Sequence, residues 1–187
     1  MSLLNSKTTC DYINFVEALE VGKNLMKCEK TNLIGFYIIV AINTGLRVGD
    51  IKKITIEDLR KGELNIKEQK TNKFRHVPFN EHIKKAMSHL PTSLTTGEVF
   101  KSQKNVVIST QHLNTLLKDA FTHLLSSHCI SSHSLRKTFG RRIYENHKRS
   151  EESLIYLSEL FNHTSSKITR AYLGIKKEEL NNLYLTL

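Results

Sequence analysis

The chain has 187 residues, of which 39% are hydrophobic and 25% charged with only two prolines, a mix that excludes collagen-like, low-complexity and broadly disordered chains. A chain this long buries roughly 70% of its unfolded surface, enough for one core without staples, so a single domain is expected. Lysine and arginine number 28 against 18 acidic residues, a formal charge of +10, which points to a polyanionic partner, nucleic acid above all.

The apolar pattern then divides the chain. Residues 12–28 place Ile13, Val16, Ala18, Leu19, Val21 and Leu25 on one helical stripe. Asn14 with Glu17 three residues later is a capping-box start. A second helix over 33–44 is apolar nearly all round, as a buried central helix would be, and Gly45 stands where a left-handed C-terminal residue is expected. Residues 63–69 and 74–79 alternate apolar and polar around the run KTNK, predicting an antiparallel hairpin, with a third weak strand at 98–101. From 109 onward the pattern is helical. One helix carries Leu113, Leu116, Leu117, Ala120, Phe121, Leu124 and Leu125, and shorter helices follow in SSHSLRKTFGRRIYE, SEESLIYLSELF and SSKITRAYL, the second opened by Ser150. A tail segment puts Leu180, Leu183, Tyr184 and Leu187 on one side. The expected fold is mainly α with a small antiparallel β-sheet, an α+β arrangement. No apolar run approaches the ~20 residues that span a bilayer, and no secretory signal is visible. Three scattered cysteines form no CxxC pair, so reduced thiols in a cytoplasmic protein are expected rather than disulfides or a zinc ribbon.

Four segments hold polar residues that are poor choices for the places they occupy. In TGLRVGD, Arg47 follows the turn that ends a buried helix, and Asp50 three residues on can pair with it on one helical face. A buried arginine needs such an anion or a ligand phosphate, because its charge cannot be removed; an ordinary structural ion pair satisfies the same pattern. Lys70 lies in the hairpin turn, where a lysine is commonly just solvated. His133 and Arg136, three apart near a helix start, project the same way and suit an anionic oxygen cluster. A basic DNA-facing helix explains them too, since Lys137, Arg141, Arg142, Lys148 and Arg149 crowd the same stretch. Finally, Asn162 and His163 precede Tyr172 in FNHTSSKITRAYLG, where a tyrosine at a helix end is more often core with its hydroxyl satisfied at the rim.

Taken in order, Arg47, Lys70, His133-x-x-Arg136, His163 and Tyr172 resemble the catalytic domain of the tyrosine recombinases, the phage-integrase family. The resemblance covers about residues 12–175 and rests on TGLRVGD, EQKTNKFRHVPF, HSLRKTFGRR and LFNHTSSKITRAYLGI. The family commonly has Glu where Asp50 stands. The resemblance implies attack of the Tyr172 hydroxyl on a DNA phosphodiester, releasing a 5′-hydroxyl and leaving a 3′-phosphotyrosyl link. Arg47 and Arg136 would hold the non-bridging oxygens, with His163 adding a hydrogen bond. Lys70 would protonate the leaving oxygen, His133 would handle the proton near the tyrosine, and Asp50 would fix Arg47. Lys73, Arg75, Lys137, Arg141 and Arg142 would contact DNA. Neither metal nor other cofactor is expected, because the arginines supply the charge that a metal ion would provide, and the covalent link keeps the bond energy for rejoining without ATP.

The resemblance further implies one catalytic domain over 1–187, with a core at 12–175 and a tail helix at 176–187. Only about eleven residues precede the first helix, so the N-terminal DNA-clamping domain usual in the family is expected to be absent. The expected partner is double-stranded DNA, with self-association on it through the tail and accessory DNA-bending proteins, in a bacterial nucleoid serving a phage or mobile element. Three alternatives compete: type IB topoisomerase-like relaxation, a non-catalytic DNA-binding accessory factor, and a metal-dependent nuclease. The last fits poorly, since His123, His128 and His133 recur every five residues and no acidic cluster accompanies them. Phosphate contacts by so basic a chain make DNA affinity fall steeply with salt; a binding isotherm unchanged between about 50 and 200 mM NaCl would contradict this.

Overall fold

The computed structural model describes residues 10–101, 106–124 and 129–186. Helix α1 (Phe15–Met26) starts at Asn14, whose side chain accepts from the backbone N–H of Val16 and Glu17. The reciprocal half of the expected capping box is missing, because Glu17 meets His123 Nε2 at 3.0 Å instead. Helix α2 (Asn32–Thr44) is buried along nearly its whole length and ends at Gly45 with φ 59°, the left-handed stop expected there.

Helices α1 and α2 cross at two glycines. A Cβ on Gly35 would lie 2.6 Å from the Gly22 carbonyl oxygen and 2.9 Å from the Met26 nitrogen, so the backbones touch and only glycine fits. After α2 come three short helices, α3 (Val48–Ile51), α4 (Ile56–Lys61) and, beyond the hairpin, α5 (Glu81–Met87). None is long enough to show a helical period, which is why the apolar pattern gave no sign of them. Thr55 and Asp58 cap α4 reciprocally.

The hairpin pairs β1 (Glu63–Lys67) with β2 (Phe74–Pro78), with Glu63 opposite Pro78 and Lys67 opposite Phe74. The third strand expected at 98–101 is not formed: among the described residues Thr55 pairs singly with Glu98 and Lys101 with Val107. Helix α6 (Thr110–Ala120) and a 3-10 turn (Thr122–Leu124) occupy the leucine-rich stretch, with Leu125 outside the described residues. Then follow α7 (Ser132–Asn146), α8 (Glu151–Phe161), α9 (Ser166–Tyr172) and α10 (Ile175–Leu185).

One large apolar cluster surrounds α2, drawing in Leu19, Phe36, Ile51, Leu64, Ile83, Leu117 and Leu135. A smaller one, with Tyr144, Leu154, Leu157, Phe161, Leu173 and Ile175, joins α7, α8, α9 and the start of α10. On α10 the expected apolar side is bare, with Leu180, Leu183, Tyr184 and Leu185 all exposed; Leu187 lies outside the described residues. Arg170 of α9 holds this helix through Glu179 at 2.7 Å and also reaches Glu151 of α8 at 3.4 Å. No described helix is long and apolar enough to cross a membrane. Because the α1–α2 crossing has no room for a methyl group, Gly35→Ala should lower stability by about 1–3 kcal/mol, read as a lower urea midpoint at unchanged slope.

Candidate active site

The site forms where the C-termini of α2 and α8 meet the hairpin and the start of α7. A helix ends with carbonyls that lack intrahelical partners and carries partial negative charge there. Three arginines use these groups. Arg136, on the second turn of α7 and 5% exposed, donates to the Gly45 carbonyl and lies 4.3 Å from the centre of the Phe161 ring. Arg75, from β2, donates to the Thr44 carbonyl at 3.0 Å. Arg47 donates through Nη2 to the Phe161 carbonyl at 2.9 Å. Burial pulls the Arg136 pKa down to about 10, with Arg47 and Arg75 pushing the same way, and it stays charged at neutral pH.

One carboxylate ties two of these cations together. Glu68 is 4% exposed and accepts from Arg47 Nη1 at 2.7 Å, Thr71 Oγ1 at 2.9 Å and Arg75 Nη1 at 3.2 Å. Burial pushes its pKa up, but Thr71, Arg75 and Arg47 together outweigh that and hold it below the usual range. Sequence reasoning missed this residue, although a signal was present: Glu68 continues the inward-facing alternation of Leu64 and Ile66, where a carboxylate needs cations.

The expected pair of Arg47 with Asp50 is not formed. Arg47 is the extended residue before α3, with ψ 152°, so the two do not share a helical face as their spacing suggested. Asp50, 1% exposed, accepts instead from the Gln69 backbone N–H at 3.0 Å, anchoring the hairpin to α3, and its Oδ2 has no partner among the described residues.

A cavity of about 560 Å³ opens over this cluster, lined by Arg47, Asp50, Gln69, Lys70, His133 and Arg136 among others. His163 and Tyr172 are not in its lining; their rings meet Phe161 at 5.6 and 5.5 Å, and the Phe161 ring lies 4.3 Å from Arg136 of the lining. His163 follows Asn162, a left-handed residue ending α8, and its Nδ1 is 2.9 Å from the buried Thr169 hydroxyl. Burial, and then the nearby Arg136, Arg47 and Lys70, lower the His163 pKa; burial followed by Arg136, Lys137, Lys70 and Arg47 does the same to His133. The Tyr172 hydroxyl is buried and interacts with Arg136, although no well-aligned hydrogen bond is formed among the described residues. Burial raises its pKa to about 12, against the pull of Arg136 and Arg47.

The residues expected to grip DNA divide. Arg142 is exposed beside the Phe15 ring, and Lys73 is exposed with its Nζ 2.6 Å from Asn162 Oδ1. Lys137 donates to the Cys10 carbonyl at 2.6 Å and lies 5.3 Å from the Tyr172 ring centre. Arg141 is 4% exposed, stacked 4.5 Å from the Tyr12 ring, and Arg75 is committed to Glu68 and Thr44, so neither presents the free surface charge expected of it. For Arg141 the reason is tertiary. Segment 10–14 lies across α7, with Thr138 Oγ1 bonded to both the N–H and the carbonyl of Ile13.

Residues 14–179 match the phage integrase family. The probable integrase/recombinase YoeC of Bacillus subtilis (strain 168) is 31% identical over 172 residues, covering 88% of this chain and 89% of that protein. The crystal structure of XerA recombinase superposes with a TM-score of 0.69 at 20% identity, over 94% of this chain and 64% of that one. XerH site-specific recombinase, bound to a palindromic difH substrate, gives a TM-score of 0.68 at 20% identity, over 96% and 53%. The chain thus spans about two thirds or less of these solved recombinases, and the matches do not favour the accessory-factor or topoisomerase-like alternatives. A buried cationic cluster over a cavity, on a mainly helical fold with one small antiparallel hairpin, agrees with that match over most of the sequence: this chain belongs to the phage integrase family and has the catalytic-domain fold of the tyrosine recombinases.

Proposed function

We propose that the chain breaks and rejoins double-stranded DNA at specific sites through a 3′-phosphotyrosyl link to Tyr172. The observation that carries this reading is the convergence of Arg47, Lys70, His133 and Arg136 on one cavity, with the buried Tyr172 hydroxyl interacting with Arg136 of its lining. Forked guanidinium groups match the non-bridging oxygens of a phosphodiester. Arg47 and Arg136 hold them and take up the charge that develops in the transition state. His163 adds a hydrogen bond to the same phosphate. The Tyr172 oxygen attacks phosphorus, His133 receives the phenolic proton, and Lys70 gives a proton to the departing 5′-oxygen. The phosphotyrosyl ester keeps the bond energy, so a new 5′-hydroxyl reverses the step without a nucleotide.

A phenol with its pKa raised to about 12 is protonated and inert at neutral pH. In this reading the scissile phosphate enters the cavity, and a shift of α9 brings the hydroxyl to it. Exposed Arg142 and Lys73 grip the backbone around the site. The bare side of α10, with Leu183, Tyr184 and Leu185 exposed, associates with a second copy on DNA, and DNA-bending proteins assist assembly.

The test incubates the protein with a randomised library of nicked duplexes that trap the cleaved strand, then sequences the strands left covalently attached. Wild type should form a denaturant-resistant, protease-sensitive adduct at a defined site, and Tyr172→Phe none. Arg136→Lys should slow adduct formation by about 100-fold or more, the loss typical of removing one donor from a developing oxyanion. Both histidine pKa values are lowered, so both rings are neutral at pH 7. Acidification protonates His133 and removes its acceptor nitrogen. The adduct rate should therefore be flat between about pH 8 and 7 and fall only at a pH below the ordinary imidazole value of about 6.5; a rate that rises on acidification would contradict the role given to His133.

A further inference from the structure

Of the two arginines assigned to the scissile phosphate, Arg136 is fixed by the Gly45 carbonyl and an aromatic face, whereas Arg47 takes, besides the Phe161 carbonyl, a carboxylate that its own segment does not supply. We propose that Glu68 is the positioning residue for Arg47 and couples it to the hairpin that carries Lys70. The inference rests on the reading of Arg47 and Lys70 as catalytic.

Three observations carry it. The first is geometric. Glu68 Oε2 accepts from Arg47 Nη1 at 2.7 Å while the Phe161 carbonyl accepts from Nη2 at 2.9 Å. Both terminal nitrogens of the fork are thereby held, which fixes the plane and direction of the guanidinium and leaves its other N–H donors for a phosphate.

The second is electrostatic. Arg47, Arg75 and Arg136 repel one another, and Glu68 meets two of them, one on each oxygen. Asp50, the carboxylate closest to Arg47 in sequence, is turned to the Gln69 backbone instead.

The third concerns the hairpin. The Glu68 backbone N–H donates to the Lys73 carbonyl at 2.9 Å and its carbonyl accepts from Asn72 N–H at 3.0 Å, while Thr71 Oγ1 bonds Oε2. Glu68 therefore closes the turn whose second residue is Lys70. Any displacement of that turn on DNA is transmitted to Arg47 through a single side chain, so the phosphate clamp and the proton donor come into place together.

The test compares single-turnover adduct formation on the duplex selected above with binding of the same duplex read by fluorescence anisotropy. Glu68→Gln keeps the shape and removes the charge. It should slow adduct formation about 10- to 100-fold while the dissociation constant changes less than about threefold, because the interaction acts on Arg47 in the transition state. In an Arg47→Lys background, where the fork is gone, the same substitution should change the rate less than about twofold. Two results would overturn the proposal: a Glu68→Gln rate within about twofold of wild type, or an equal loss in both backgrounds, which is what a purely structural role produces. If thermal unfolding shows that Glu68→Gln does not fold, Thr71→Val takes its place, since it removes a hydrogen bond to the same oxygen. A slowing of about three- to tenfold that disappears with Arg47→Lys supports the coupling, and an unchanged rate overturns it. Failure of the underlying reading looks different, since wild type would then form no adduct or Tyr172→Phe would still form one.

Discussion

Concentrating guanidinium groups in a half-buried site is unfavourable unless each finds an anion or a dipole end, because arginine cannot discard its charge. This chain meets that constraint with two helix C-termini and one carboxylate. The Thr44 carbonyl at the end of α2 takes Arg75, the carbonyl of the capping Gly45 takes Arg136, the last carbonyl of α8 takes Arg47, and Glu68 bridges Arg47 to Arg75. The left-handed turn at Gly45 makes this possible. It stops α2 sharply, so that its carbonyls open onto the start of α7, and a Cβ there would strike the Phe139 ring at 2.1 Å. Fold and site are therefore held by the same groups. The helix ends that need hydrogen-bond donors are the ones that aim the cations.

The cationic cluster sets the protonation of everything near it. Positive neighbours reinforce burial in keeping His133 and His163 neutral, ready to accept or share a proton. For Tyr172 the two effects oppose: burial raises the pKa and the arginines lower it, with burial prevailing in the DNA-free state. In the proposed reaction, burial keeps this phenol protonated and enclosed until DNA arrives. The Tyr172 ring at the end of α9 meets Phe161 and His163 edge-on, and α9 is tied to α8 by the buried Thr169–Ser158 hydroxyl pair and the apolar cluster around Phe161 and Leu173, with Arg170 adding ion pairs to Glu151 and Glu179. The helix that bears Tyr172 is thus anchored by buried polar and apolar contacts within and by exposed ion pairs, weak in water, on its outer side.

The apolar periods of α1 and α6, the nearly all-apolar run of α2, the left-handed stop at Gly45 and the alternation of the hairpin were all legible in the sequence, because each is a local pattern set by backbone geometry. Short helices α3, α4 and α5 were not, since four to seven residues do not complete enough turns to show a period. The segment at 98–101 alternates like a strand yet makes only single bridges. Its neighbours, and not its own residues, decide whether a ladder extends.

For the site, sequence by itself determined which residue types were available and in what order: Arg47, Lys70, His133, Arg136, His163 and Tyr172, with the basic excess that suits DNA. Spacing along the chain misled where the partners are distant. Asp50 lies three residues from Arg47 but serves the hairpin backbone, while Glu68, twenty-one residues away, holds the arginine. Arg141 reads as surface charge on α7 but is covered by segment 10–14. Charge pairing depends on direction in three dimensions and on which surfaces are covered, and a linear pattern carries neither. Only the tertiary structure could therefore decide which carboxylate neutralises which arginine, and which cations remain free for a phosphate.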